Sequence, residues 1–120
     1  MGQFLDELGN WGADTEGAMR NLYADEKYYA ELVRAFARDP RIRSLEIAMR
    51  AQDYADAFTL SHGLMNEARK LGLAPLSEPL SLFADRLRTR NWKDAPNFYG
   101  AVQEQISRLQ DLVRRSDSSV

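Results

Sequence analysis

The sequence predicts an all-α chain: an antiparallel up-and-down four-helix bundle with short N-terminal covering helices. Three observations lead there. Apolar residues recur at helical spacing in every long segment, and no stretch alternates with period two for long. Aspartates stand where helices need caps, at Asp14, Asp25 and Asp53. The links between the longest segments are short, which favours up-and-down neighbours.

The elements follow in order. A short segment near 3–9 opens the chain. Asp14 or Thr15 caps a short helix within 14–23 that presents Met19, Leu22 and Tyr23. Asp25 caps the next, over 25–38, with Tyr29, Leu32, Val33 and Phe36 on one face. The Asp39-Pro40 pair marks a boundary, because the residue before a proline avoids helical angles. Ile42, Leu45 and Met49 are spaced to face inward on a helix over 40–51. Asp53 caps a helix over 53–71, and Gly72 stops it. Ser77 is expected to cap a helix over 77–91, which puts Pro79 in its tolerant first turn; an earlier start would kink the helix at Pro79. Leu80, Phe83 and Leu87 are its inner face. The last helix, over 95–115, carries a stripe of Phe98, Val102, Ile106, Leu109 and Val113. Helices 25–38, 53–71, 77–91 and 95–115 are the expected walls, and the segments near 3–9, 14–23 and 40–51 the cover over one end. Residues 1–115 then form a single domain, with 116–120 a frayed tail.

The totals exclude several kinds of chemistry. The 120 residues are one domain in length and can bury an ordinary core without staples. With no cysteine there is no disulfide, thiolate ligand or cysteine nucleophile, and one histidine does not make a zinc site. No metal or other cofactor is expected. The N-terminus has no secretory pattern and no apolar run approaches a membrane span, so a cytoplasmic location is expected. A net charge of −2 argues against a nucleic-acid partner. The basic stretch RLRTRNWK, Arg86 to Lys93, reads as a solvated helix end, where cations complement the dipole. Glu67 and Asp85 are scattered carboxylates without a nucleophile or glycine-rich loop, so a stand-alone enzyme has little support.

The sole histidine, His62, lies within FTLSHGLMNEARKLGL. At about 100° per residue, Ala57, Leu60, Leu64, Ala68 and Leu71 fall in one core-facing arc. His62 falls nearly opposite, with Ala55, Thr59, Met65, Asn66 and Arg69 beside it and Phe58 one turn before. Phe58 and Met65 are expected to make a partly apolar exposed patch around the imidazole, and such patches mark contact sites. An imidazole with Arg69 about two turns on suits an anionic group better than it suits general-base work.

Segment 41–90, which contains AQDYADAFTLSHGLMNEARKLGLAPL, resembles the histidine-containing phosphotransfer (HPt) domains of bacterial phosphorelays. Asp53, Tyr54, Ala57, Phe58, His62, Leu64, Leu71, Gly72 and Leu76 agree in order and spacing. The segment from Leu5 to Asp39 resembles that family's covering segment and first bundle helix. The resemblance implies that His62 is the phospho-acceptor, taking a phosphoryl group from a receiver-domain aspartate and yielding it to another. It implies a response-regulator receiver or a sensor histidine kinase as partner, meeting Phe58, Thr59, Met65, Asn66 and Arg69. Two positions depart from the family pattern: Met65 stands where lysine is usual and Asn66 where glycine is usual. Arg69 is the expected substitute charge, at longer reach. The alternative is a docking module of the same fold that binds a receiver or kinase without relaying phosphate.

Overall fold

The computed structural model describes residues 2–118, and all regular secondary structure among them is helical. Seven helices follow one another among the described residues: α1 (Gln3–Trp11), α2 (Thr15–Leu22), α3 (Glu26–Ala37), α4 (Pro40–Arg50), α5 (Tyr54–Lys70), α6 (Ala74–Arg88) and α7 (Ala95–Ser118). Aspartates begin four of them. Asp14 accepts from the Gly17 N–H at 3.0 Å, Asp25 from Tyr28 at 2.8 Å, Asp39 from Arg41 at 2.8 Å and Asp53 from Asp56 at 3.2 Å. Each bond satisfies a donor that the first turn leaves without an intrahelical partner. Pro40 opens α4, where a missing N–H removes no helical bond.

Two boundaries differ from the sequence expectation. α6 starts at Ala74, so Ser77 is a buried residue inside the helix and not its cap. The cause is core packing. Leu73 and Leu76 are both buried, and the N–H groups of Leu76 and Ser77 bond back to the Leu73 carbonyl, which starts the helix at once after Gly72. Pro79 is carried inside the helix, which continues to Arg88. Its missing N–H forgoes a bond to the Pro75 carbonyl, near the helix start. At the other end of the chain α7 runs to Ser118, so residues 116–118 are helical and not a frayed tail. Asp117 pairs with Arg34 of α3 and with Arg38, the residue that caps α3, and the Ser116 hydroxyl donates to the Val113 carbonyl at 2.8 Å. The rest of the predicted tail, residues 119 and 120, lies outside the described residues.

The packing centres on α5, which α4 and α6 flank. α7 packs on α6, α1 and α3 pack on α7, and α2 touches α5. α4 therefore lines a side of α5 instead of covering an end. A three-residue link, Ala51 to Asp53, with Gln52 at φ 55°, reverses the chain between them. So short a link makes antiparallel neighbours. Leu45 and Ala48 are the buried face of α4. Tyr29, Val33, Leu45, Ala57, Leu64, Leu80, Phe83, Val102 and Leu109 form the deepest part of the common core.

The turn between α5 and α6 is held from outside. The Tyr29 hydroxyl donates to the Leu71 carbonyl at 2.6 Å, and the Asp14 N–H donates to the Gly72 carbonyl at 2.8 Å. Gly72 is left-handed at φ 71°, and a Cβ there would stand 2.4 Å from the Asp14 carbonyl oxygen. Burial, reinforced by the charge of Asp14, pushes the Tyr29 hydroxyl up to about 12.

Gly72→Ala should destabilise the fold by about 2–4 kcal/mol, from left-handed strain and the clash with the Asp14 backbone; urea melts measure it. Tyr29 should also make stability fall in strong alkali. An unfolded tyrosine ionises near its ordinary value of about 10, whereas the folded group holds its proton to about 12. Its contribution is therefore complete below pH 10 and is lost as pH rises toward 12. Tyr29→Phe should remove that part of the pH dependence, and at neutral pH should cost about 1–3 kcal/mol by orphaning the Leu71 carbonyl.

Candidate functional site

With one flank covered by α4 and the other by α6, α5 shows solvent a narrow strip. Ala55, Thr59, His62, Asn66 and Arg69 are exposed along it. Those positions fall on one stripe of a helix that turns about 100° per residue. His62 is near its middle. The imidazole lies against the half-buried Phe58 ring, with centroids 5.7 Å apart and planes 22° apart, the geometry of two rings one turn apart on a helix. Among the described residues no group accepts a hydrogen bond from the His62 ring or forms an ion pair with it. The Thr59 hydroxyl is turned back into the helix, donating to the Ala55 carbonyl at 3.3 Å. Arg69 leans toward α6, where Nη2 lies 3.5 Å from the Ser81 hydroxyl.

Met65 is the correction. It is only 6% exposed and belongs to the core, so it does not flank His62 in an exposed patch. The buried residues of α5 are Ala57, Ser61, Leu64, Met65 and Ala68, while Leu60 is only half-buried. The core arc is thus rotated toward α6 from the arc that the apolar residues alone define. Ser61 explains the difference. It is fully buried because its hydroxyl donates to the Phe58 carbonyl at 3.1 Å, which satisfies the polar group within its own helix.

Two neighbours of the strip come from outside α5. Trp92, in the link between α6 and α7, stacks on Tyr54 with centroids 4.6 Å and planes 8° apart. Together with Phe58, Leu87 and the cations Arg88 and Arg90 they line an open groove of about 460 Å³ beside the histidine strip. The sequence signal was the lone tryptophan in the basic stretch after α6. Of the two groove cations, Arg88 also pairs with Asp85, while Arg86 of the same basic stretch is turned inward over the Phe98 ring at 4.9 Å.

The second neighbour is Arg41 of α4. Its Nε and Nη2 engage the Asp39 carboxylate, with Nη2 at 2.7 Å, and Nη2 lies 3.4 Å from Glu67 of α5. The hydrogen bonds from that guanidinium hold the Asp39 carboxyl below the usual carboxylate range. Gly63, the residue after His62, lets the side chain lie on the helix backbone: a Cβ there would stand 2.8 Å from Arg41 Nη1. No reading of α5 alone could find this contact, because it depends on α4 lying alongside.

Among the described residues no group of three His, Asp or Glu side chains is set to hold a metal ion, and no helix is long and apolar enough to cross a membrane. No family model, curated protein or solved structure matches the chain.

Met65→Lys should therefore destabilise the fold by about 1–3 kcal/mol, because it puts an ammonium where a buried thioether packs. His62→Gln, on the exposed strip, should stay within about 0.5 kcal/mol of the parent. Thermal melts of the two variants side by side test this placement.

Proposed function

We propose that this chain is a histidine-containing phosphotransfer domain, with α3, α5, α6 and α7 as an up-and-down four-helix bundle. In this reading it works in the cytoplasm. The observation that carries it is the placement of His62: an imidazole with no hydrogen-bond or ion-pair partner among the described residues, exposed in the middle of a long helix packed on both flanks. A carrier needs a nucleophile that a partner's active site can reach. It needs little else, since positioning and charge placement dominate phosphoryl transfer.

The step is a displacement at phosphorus. A lone pair on a ring nitrogen of His62 attacks the phosphorus of an aspartyl phosphate in a receiver domain. The bond from phosphorus to the carboxyl oxygen breaks, and its electrons stay on the aspartate. The imidazole carries the positive charge until its other nitrogen releases a proton to water. The reverse step delivers the group to a second receiver. Phe58, Thr59, Asn66 and Arg69 meet the partner, and the groove lined by Tyr54, Leu87 and Trp92 extends that surface. An apolar centre with a polar rim is what such a mixed interface buries.

A second reading has a specific observation behind it. Met65 is buried and Asn66 is neutral, so α5 offers no cation one turn beyond His62. A domain that docks a receiver or kinase without relaying phosphate would tolerate both.

Incubation with phosphorylated receiver domains separates the two. Phosphotransfer predicts acid-labile, base-stable phosphate on the wild-type chain, none on His62→Gln, and unchanged docking by both. Docking without phosphate on either protein would leave the second reading standing. Phe58→Ala should weaken receiver binding more than substitution of Glu104 or Arg108 on α7, provided its melt shows an intact fold.

A further inference from the structure

We propose that Arg41 is the cation that holds the phosphoryl oxygens on His62, reaching them from α4 across the bare backbone at Gly63. The inference rests on the phosphotransfer reading and names the charge that α5 itself lacks.

Three observations place the guanidinium there. Nη1 lies so close to Gly63 that any side chain at that position would overlap it. The Nε–Nη2 edge is tied to Asp39, and Nη2 also faces Glu67, so the group is fixed in orientation from two helices. Among the described residues nothing accepts a hydrogen bond from Nη1, and the side chain is 35% exposed. A planar cation whose one edge is anchored and whose remaining nitrogen is open can meet a tetrahedral anion with little reordering.

The cations on α5 itself are worse placed. Arg69 is rooted seven residues beyond His62, about 10 Å along the axis at 1.5 Å per residue, and turns toward Ser81. Lys70 is one residue farther. Arg41 lies on the residue adjacent to the histidine.

The test uses the full chain and potassium phosphoramidate, a small donor that needs no receiver. A ring nitrogen of His62 attacks its phosphorus, the phosphorus–nitrogen bond breaks, and ammonia leaves with its electron pair. The rate of phosphohistidine formation is followed by phosphorus NMR. Arg41→Ala should slow it by about ten- to a hundredfold, the worth of one charged hydrogen bond. Arg41→Lys should recover part of the rate, and Arg108→Ala, on α7, should stay within about twofold of wild type. Gly63→Ala is the independent arm. Its methyl displaces only the end of a flexible side chain, and alanine is the better helix former, so the fold should hold while the rate falls as in Arg41→Ala. If wild type is phosphorylated and Arg41→Ala and Gly63→Ala match it, the inference fails and the phosphotransfer reading stands. If wild type takes phosphate neither from phosphoramidate nor from a phosphorylated receiver, both fall together.

Discussion

The fold depends on how the C-terminus of α5 is held. Helix ends leave carbonyls without intrahelical partners, and here two carbonyls at the turn are taken up by residues far back in the chain. Tyr29 reaches Leu71 from α3, and the Asp14 backbone reaches Gly72 from the start of α2. Both bonds are geometric locks, since a buried hydroxyl and a backbone N–H accept little variation in distance or angle. They pin the turn that ends α5 to α3 and to the start of α2, and together with the burial of Ala57, Leu64 and Ala68 they set the rotation of α5 that decides which residues face water.

Given that rotation, the flanking helices set the width of the exposed strip. α6 lies on the side where Arg69 reaches Ser81 and where Phe58 and Leu87 line one groove, and α4 partly covers the side carrying Gly63 and Glu67. What remains is a stripe of small and polar residues with one aromatic shoulder, Phe58. The stripe is rigid because it belongs to a helix packed on both flanks, and rigid elements present a reacting group more reproducibly than loops do. Even the partial burial of Phe58 contributes, since the ring limits the orientations open to the imidazole stacked on it.

Much of this was legible in the sequence, for reasons that differ by residue. Aspartate caps are local chemistry, so Asp14, Asp25 and Asp53 could be read directly and the helix starts followed, while Asp39 was legible only as the boundary before Pro40. The exposure of His62 was legible because helical phase is nearly geometric. Apolar phase alone sets Met65 outside the core arc, whereas a serine that bonds its own helix also counts toward the buried face and brings Met65 into it. The start of α6 was missed because Leu73 and Leu76 act through burial, which overrode the turn preference of Ser77 and Pro79. Arg41 and Trp92 were illegible as neighbours of the site because each arrives from another element. Tertiary packing decides such contacts, and no local window contains them.

The charge distribution narrows what the site can depend on. The chain carries a net charge of −2, so its overall field does not draw an anionic group toward it. Many surface cations are already paired within their own helices, among them Arg43 with Glu46, Arg88 with Asp85 and Arg108 with Glu104. Such exposed pairs contribute little stability, but they cancel the charges involved beyond a Debye length of about 10 Å. A phosphoryl group on His62 would therefore feel mainly the charges within one or two turns of it. The identity and aim of each nearby cation then outweigh the total number of cations. That makes the placement of a single guanidinium over Gly63 more consequential than the arginine content of the chain as a whole.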